Sequence, residues 1–220
     1  MKMRSFAICL LASLLFIGSG CKSFEDRREN LIAEDSLAGW QGFYADPYQK
    51  QSLSSAEKDS RQNKANMEMR RHWRVEDRVL HFDGGGKNLV TCKEYGDFEL
   101  QIEWQITPGG DSGIYLRGCP QVQIWDPLKN PVGSGGLFNN QKGGATPLEI
   151  ADHPPGEWNH FRIIMRGPRV TVYLNDRLVV NDIVLENYWR RSSPIPNRGP
   201  IELQSHGTPL KFRNVTIKGI

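Results

Sequence analysis

Residues 98–106 (FELQIEWQI) alternate strictly between apolar and polar side chains. Because successive side chains of a strand point to opposite faces, this period of two predicts a half-buried strand. Similar short runs lie on both sides of it, separated by turns rich in Gly, Pro and Asn; they include residues 79–82, 113–117, 121–125, 158–166, 170–174, 177–180, 201–204 and 210–217. Asn175 and Asp176 suit the positive φ angles of a two-residue hairpin turn. Many short strands at this spacing predict an all-β sandwich or barrel.

Two segments lack the strand pattern. Residues 45–71 are polar and rich in Gln, Ser and Lys, and residues 56–71 predict a helix with Ser54 or Ser55 as its N-cap. We therefore expect a polar, helical excursion on the surface near residues 54–71. Residues 127–157 are loop-like, and a loop of that length inside a domain is usually functional.

The N-terminus has the pattern of an export signal. Lys2 and Arg4 precede an apolar run at residues 6–17, and small residues then precede Cys21. A Cys at this junction is typical of a bacterial lipobox, although Gly18 stands where Leu is usual; a plain secretory signal cut nearby is the alternative. We predict a lipoprotein signal peptide at residues 1–20, a tether at 21–34 and one domain at 35–220. The protein would then be exported as a periplasmic or outer-membrane lipoprotein, anchored to the membrane by a lipid on Cys21.

Composition and charge narrow the classes of partner. The chain has 220 residues, of which 38% are hydrophobic and 24% charged, as is ordinary for a soluble globular protein. The formal charge of +3 falls to +1 without residues 1–20, because they hold Lys2, Arg4 and no acid. We expect no nucleic-acid partner, since phosphate binding needs a basic stripe. Cys92 and Cys119 remain as a disulfide or as two separate thiols, and the oligomeric state is left open.

Six stretches of the predicted strands and turns form a distinctive set. They are residues 98–104 (FELQIEW), 109–118 (GGDSGIYLRG), 122–126 (VQIWD), 156–159 (GEWN), 170–175 (VTVYLN) and 201–207 (IELQSHG). Together they resemble the 3-keto-disaccharide hydrolase family from about residue 35 to residue 220, with Ser205 standing where many relatives have Asn. The resemblance implies a concanavalin A-like jelly roll of two antiparallel sheets with a concave face for sugar. It also implies 3-keto-glucoside lyase or 3-keto-glucal hydratase activity.

A 3-keto sugar demands particular side chains. The ketone acidifies the hydrogen on C2, so a base can remove it and the C1 substituent can leave by elimination. Such a site needs a base with a pKa near neutrality and donors for the enolate oxygen. His206 is the candidate catalytic base, because strand parity places it with Glu202 and Gln204 on the face away from the core. A His that bonds a turn carbonyl is the alternative.

Arg117 and Asp126 are the other candidate catalytic residues. Arg117 would bind the ketone oxygen or neighbouring hydroxyls, and Asp126 would orient His206 or act as a second base. The alternatives are an ion pair of Arg117 with Asp126 or Glu103, and a turn cap at Asp126. The candidate substrate-binding residues are Gln123, Gln204, Trp125, Asp111, Asn140 and Glu202.

The individual binding roles follow from side-chain chemistry. Gln123 would donate to and accept from sugar hydroxyls, Trp125 would stack on a pyranose ring or belong to the core, and Asn140 would lie in a lid. We expect no cofactor; calcium is only weakly indicated, because no Asp-rich loop supplies converging oxygens. The rival functions are a non-catalytic carbohydrate-binding module and an ordinary retaining hydrolase. The Glu-x-Asp-x-x-Glu spacing that would support a retaining hydrolase is missing from the sequence.

Overall fold

Two antiparallel sheets make up most of the structure, a computed structural model that describes residues 28–32 and 35–220. The larger sheet has eight strands, in the spatial order β11 (Arg177–Val184), β10 (Arg169–Leu174), β9 (Asn159–Arg166), β6 (Phe98–Ile106), β13 (Leu210–Gly219), β4 (Val79–Phe82) and β3 (Trp73–Glu76), with β1 (Glu29–Asn30) also on β13. The smaller sheet has the order β2 (Trp40–Gly42), β5 (Leu89–Thr91), β12 (Glu202–Leu203), β7 (Asp111–Leu116) and β8 (Cys119–Trp125). The predicted all-β jelly-roll sandwich is confirmed.

The hydrophobic core lies between the two sheets. All five apolar side chains of β6 are buried and its four polar ones are half-buried, so the alternation in the sequence predicts the burial correctly. Trp104 of β6 packs on Phe161 of β9, with ring centroids 5.5 Å apart. The smaller sheet closes the core with fully buried aliphatic residues that include Leu89, Ile114, Val122, Ile124, Ile201 and Leu203. One face of the smaller sheet is therefore committed to packing and the other is available for chemistry.

Two helices lie between β2 and β3. α1 (Pro47–Gln51) is one short turn capped by Asp46, and α2 (Ser55–His72) is the predicted excursion. Ser54 caps α2 in a reciprocal capping box with Glu57, as the polar sequence before the helix indicated. The helix buries only Met69, which explains why its sequence carries so weak an apolar pattern.

The folded domain includes residues that the sequence analysis assigned to a tether. Glu29 and Asn30 pair with β13, and Ile32 is buried in the core. Two residues are too few for a recognisable alternation, so this strand gave no sequence pattern. The predicted signal peptide and Cys21 lie outside the described residues, and lipidation stays a prediction. Within the described residues, no helix combines the length and the apolar character needed to cross a membrane.

Cys92 and Cys119 are free thiols, which decides between the two alternatives left open by the sequence. Cys119 is buried and its Sγ donates to the carbonyl of Glu186 at 3.3 Å, whereas Cys92 is exposed. Burial raises the pKa of the Cys119 thiol to about 11. This thiol is therefore protonated at neutral pH and acts as a packing group.

Candidate active site

The face of the smaller sheet that points away from the core carries a set of polar side chains. On β7, β8 and β12 the core-facing residues alternate with residues that point the other way. The outward set comprises Asp111, Gly113, Tyr115, Gln121, Gln123, Trp125 and Glu202, and Gln204 follows β12 in the same phase. Amides, carboxylates and aromatic rings on one sheet face are the side chains that suit sugar hydroxyls and sugar rings.

Three glutamines form a connected floor on this face. Gln121 Nε2 donates to Gln123 Oε1 at 2.5 Å and to Gln204 Oε1 at 3.2 Å. Gln204 Nε2 donates in turn to the hydroxyl of Tyr115 at 3.3 Å. Gly113 makes room for this arrangement, because a Cβ there would lie 2.8 Å from Gln121 Nε2. Because each amide is held by its neighbours, the floor is positioned before any ligand arrives.

His206 lies at one end of the floor. Its Nδ1 is 3.4 Å from Asp111 Oδ2, and its side chain is 56% exposed. Asp111 Oδ1 accepts from Gln123 Nε2 at 2.9 Å, so the carboxylate is tied to the amide floor on its other side. An exposed imidazole beside an oriented carboxylate is an arrangement that can accept a proton from a ligand. The partner of His206 is thus Asp111, which the sequence analysis assigned to substrate binding.

An aromatic pair stands beside the floor. Trp125 is half-buried and packs edge-on against the exposed ring of Phe138, with centroids 5.1 Å apart. Residues 135–137 extend the smaller sheet past β8, since the backbone of Gln123 exchanges hydrogen bonds of 2.8 and 2.9 Å with Gly135 and Gly136. Leu137 is buried in the core, and the turn that follows brings Phe138 against Trp125 on the polar face. The predicted stacking residue Trp125 is available there.

The other end of the polar face is covered and holds an unusual carboxyl group. Glu202 is only 3% exposed, and its Oε1 accepts from Asn88 Nδ2 at 2.5 Å. Burial raises the pKa of Glu202 to about 7, and the Asn88 hydrogen bond and the charge of Lys50 on α1 counteract only part of that rise. Burial also lowers the pKa of Lys50. Asn88 Oδ1 accepts from the backbone N–H of Ser205 at 2.8 Å and so ties Glu202 to the segment that carries His206.

Arg117 is not part of this network. It forms the hairpin turn between β7 and β8 together with Gly118, with φ angles of 54° and 72°. The guanidinium is 2% exposed and bonds Asp97 at 2.6 Å and the carbonyl of Gly96 at 2.9 Å. Since Arg117 and Asp111 lie at opposite ends of β7, about 20 Å separates them. The predicted catalytic role of Arg117 beside His206 is wrong, because the left-handed turn directs its side chain into a structural ion pair.

We predict that Arg117→Met lowers the free energy of unfolding by about 2 kcal/mol. Removing one partner of a buried ion pair costs more than this, but Asp97 is 44% exposed and its remaining charge stays hydrated. Denaturant titration measures the difference. Arg169→Met is the matched control, because the pair of Arg169 with Asp182 is exposed on both sides and its loss should have little effect. Equal stability of the Arg117→Met variant and the wild type would contradict the structural role.

Asp126 and Asn140 also serve the backbone and not the polar face. Asp126 is a turn cap, since its two carboxylate oxygens accept from the backbone N–H groups of Gly109 at 2.6 Å and Leu128 at 2.8 Å. The amide of Asn140 donates to the carbonyl of Val184 at 2.7 Å and accepts from the backbone N–H of Glu186 at 3.0 Å. These bonds pin the loop of residues 127–157 to the end of β11. The predicted orienting role of Asp126 and lid role of Asn140 are corrected accordingly.

Four residues of the site were not named from the sequence. Tyr115 and Gln121 have the same strand parity as Gly113 and Gln123, so the alternation would have found them. Asn88 and Phe138 lie beside strands in irregular segments, and the sequence pattern gives no indication of them. Within residues 28–32 and 35–220, no cluster of three His, Cys, Asp or Glu side chains is placed to hold a metal ion.

Comparison with known proteins places the chain in a family. The family model described as a 3-keto-alpha-glucoside-1,2-lyase-like domain matches residues 28–218. A 3-keto-disaccharide hydrolase of Bacteroides thetaiotaomicron is 24% identical over 201 residues, covering 66% of this chain and 69% of the relative. A crystal structure assigned as a glycosyl hydrolase from Parabacteroides distasonis has 26% identity and a TM-score of 0.62, covering 88% of this chain and 84% of that one. A second such structure from the same organism has 21% identity and a TM-score of 0.60, covering 89% and 100%, and shows the fold. The chain belongs to the 3-keto-alpha-glucoside-1,2-lyase-like domain family.

Proposed function

We propose that the protein is an exported enzyme that cleaves 3-keto-glycosides by base-promoted elimination, hydrates the resulting 3-keto-glucal, or does both. The observation that carries the proposal is the exposed imidazole of His206 beside Asp111, at the end of a floor of fixed amides. Family membership and the named relatives support a carbohydrate-active domain of the glycosyl hydrolase kind.

In this reaction His206 is the base that removes the C2 hydrogen of the sugar. The imidazole takes that proton, and the C–H electron pair forms an enolate with the C3 ketone. The enolate collapses to form the C1–C2 double bond, and the C1–O bond breaks with its electron pair on the aglycone oxygen, which takes a proton from solvent. Water then adds across the double bond in the hydratase direction and yields a free 3-keto sugar.

The remaining groups of the polar face suit the other demands of this reaction. The enolate oxygen needs a donor, and Gln204 is the half-buried amide of the floor that a ligand can reach. Asp111 favours the protonated imidazole after proton transfer and fixes the ring orientation. Trp125 and Phe138 offer apolar ring surface for one face of the sugar.

The test is turnover of a 3-keto-glucoside by the purified mature protein. Enone absorbance reports elimination and released aglycone reports cleavage, and we expect both to depend on enzyme concentration. The same glucoside without the 3-keto group is the control, because its C2 hydrogen is not acidic and it should remain intact. Calorimetric binding of the keto-glucoside without turnover would overturn the proposal in favour of a non-catalytic carbohydrate-binding module.

A further inference from the structure

A cleft of about 560 Å³ lies between α2 and the edge of the smaller sheet. The helix supplies one wall of the cleft, and residues 86–88 supply the opposite wall. The side chains that define the cleft are Phe43, Arg61, Lys64, Glu68, Met69 and Lys87. Arg61, Lys64 and Glu68 recur at spacings of three and four, so they share one face of α2, and Met69 lies beside Glu68 at the edge of that face. This cleft is separate from the amide floor.

The wall formed by α2 is held in place although the helix contributes little to the core. Asn66 Oδ1 accepts from the backbone N–H of Gly42 at 2.9 Å, and Gln62 Nε2 donates to the carbonyl of Gly42 at 2.9 Å. The two backbones approach closely, since a Cβ on Gly42 would lie 2.2 Å from the carbonyl oxygen of Ala65. A helix of 18 residues that buries only Met69 is thus fixed at the sheet edge. Its most specific contribution is one wall of the cleft.

The cleft is positively charged. Arg61, Lys64 and Lys87 line it with one carboxylate, Glu68. That carboxylate is already bonded to His72 and to Arg71, each at 3.1 Å. Among the described residues, neither Lys64 nor Lys87 has an acidic partner within 4.0 Å. Cations on facing walls favour a ligand that carries negative charge.

The cleft adjoins the polar face beside the segment that joins Glu202 to His206. Asn88 lines the cleft and also accepts from the backbone N–H of Ser205 at 2.8 Å. Gly86 lines it too, and its carbonyl accepts from the Ser205 hydroxyl at 3.1 Å. Ser205 directly precedes His206. A ligand that places its reacting carbon at His206 therefore has this cleft as a neighbour for its other half.

We infer that the cleft beside α2 is the leaving-group subsite and that it takes an aglycone bearing an anionic group, such as a carboxylate. The inference rests on the proposed function, because it names the substrate class of the same site. Binding of a rigid sugar at the floor leaves the aglycone to extend toward Lys64 and Lys87. The two ammonium groups then hold the anion without touching the reacting atoms.

The test compares the 3-keto-glucosides of 4-hydroxybenzoate and 4-hydroxybenzamide, which differ in charge and little in shape. We expect the ratio of their kcat/KM values, anionic over neutral, to fall about tenfold in the Lys64→Gln/Lys87→Gln double variant, mainly through KM. Comparing the ratio between variants cancels the different reactivities of the two leaving groups. Arg70→Gln is the matched control, because Arg70 lies on the opposite face of α2, and its ratio should match that of the wild type.

Each outcome distinguishes this inference from the proposed function. Turnover of both substrates with an unchanged ratio in the double variant would overturn the subsite and leave the reaction standing. If neither substrate turns over, the proposed function fails, and calorimetry with free 4-hydroxybenzoate then decides the subsite alone. Binding to the wild type that is weakened about tenfold in the double variant supports an anion site. The absence of binding to the wild type overturns it.

Discussion

Replacing His206 with Ala is expected to lower kcat/KM for a 3-keto-glucoside by at least about 100-fold, since a positioned general base contributes a factor of about 10² to 10⁴. In the proposed reaction the imidazole takes the C2 proton, and His206 is the basic side chain that lies beside Asp111. The loss should appear mainly in kcat, because the amide floor, which we propose binds the sugar, stays in place. Added imidazole should restore part of the rate, as it enters the space that the side chain leaves.

His160→Ala is the matched control for this experiment. His160 belongs to β9 of the larger sheet, away from the amide floor, and its loss should leave kcat/KM unchanged. Asp111→Asn tests the partner of His206, and the fold should be kept. The rate should fall, because the asparagine amide no longer stabilises the imidazolium. The fall should be smaller than in His206→Ala, because the base itself is still present. Turnover by His206→Ala at the wild-type rate would remove the imidazole from the reaction while leaving the activity itself established.

The local pattern of the sequence predicts most of the fold. The strict alternation at residues 98–106 became β6 with alternate burial, and Asn175 and Asp176 took the positive φ angles of the predicted hairpin turn. The polar segment after Ser54 became α2 with a capping box. Each of these depends on neighbours a few residues apart. β1 has only two residues and is held by pairing with β13, which is distant in the sequence, so no local pattern predicts it.

The site was predicted in part, for the same physical reason. Strand parity placed Gln123, Gln204 and Glu202 on one face, because parity is a local property of a strand. At Arg117 two left-handed residues end the strand, and its side chain enters an ion pair away from the polar face. Pairings across the chain are beyond any local pattern. Asn88 and Glu202 are 114 residues apart, and the exchange of Asp126 for Asp111 as the partner of His206 depends on how three strands lie side by side.

Glu202→Gln tests the covered end of the polar face through the pH dependence of stability. Burial raises the pKa of Glu202 in the folded protein to about 7, against an ordinary value of 4.5. Lys50 on α1 attracts the ionised carboxylate and lowers the pKa of Glu202, whereas Asp46, the cap of α1, repels the carboxylate and raises that pKa. The Gln variant keeps an oxygen for Asn88 and cannot ionise. It therefore represents the protonated state of Glu202 at every pH.

The folded and the unfolded protein keep the proton of Glu202 over different pH ranges, and this difference sets the direction in which stability changes. Below about pH 4.5 the carboxyl is protonated in both states, and its burial carries no ionic cost. As the pH rises toward 7, the unfolded chain releases the proton while the folded protein retains it, so the wild type loses stability across that window. The loss amounts to about 3 kcal/mol, because each tenfold difference in proton affinity is worth about 1.4 kcal/mol. Above about pH 7 both states are ionised and the difference stays constant.

Denaturant titrations between pH 4 and pH 8 measure this difference directly. We expect the stability of Glu202→Gln relative to the wild type to rise by about 3 kcal/mol over that range. Glu157→Gln makes the same chemical change at an exposed loop position and should give a curve parallel to that of the wild type. Parallel curves for Glu202→Gln and the wild type would mean that Glu202 ionises as it does in water. The covered carboxyl would then be hydrated, and the end of the polar face beneath α1 would be open to solvent.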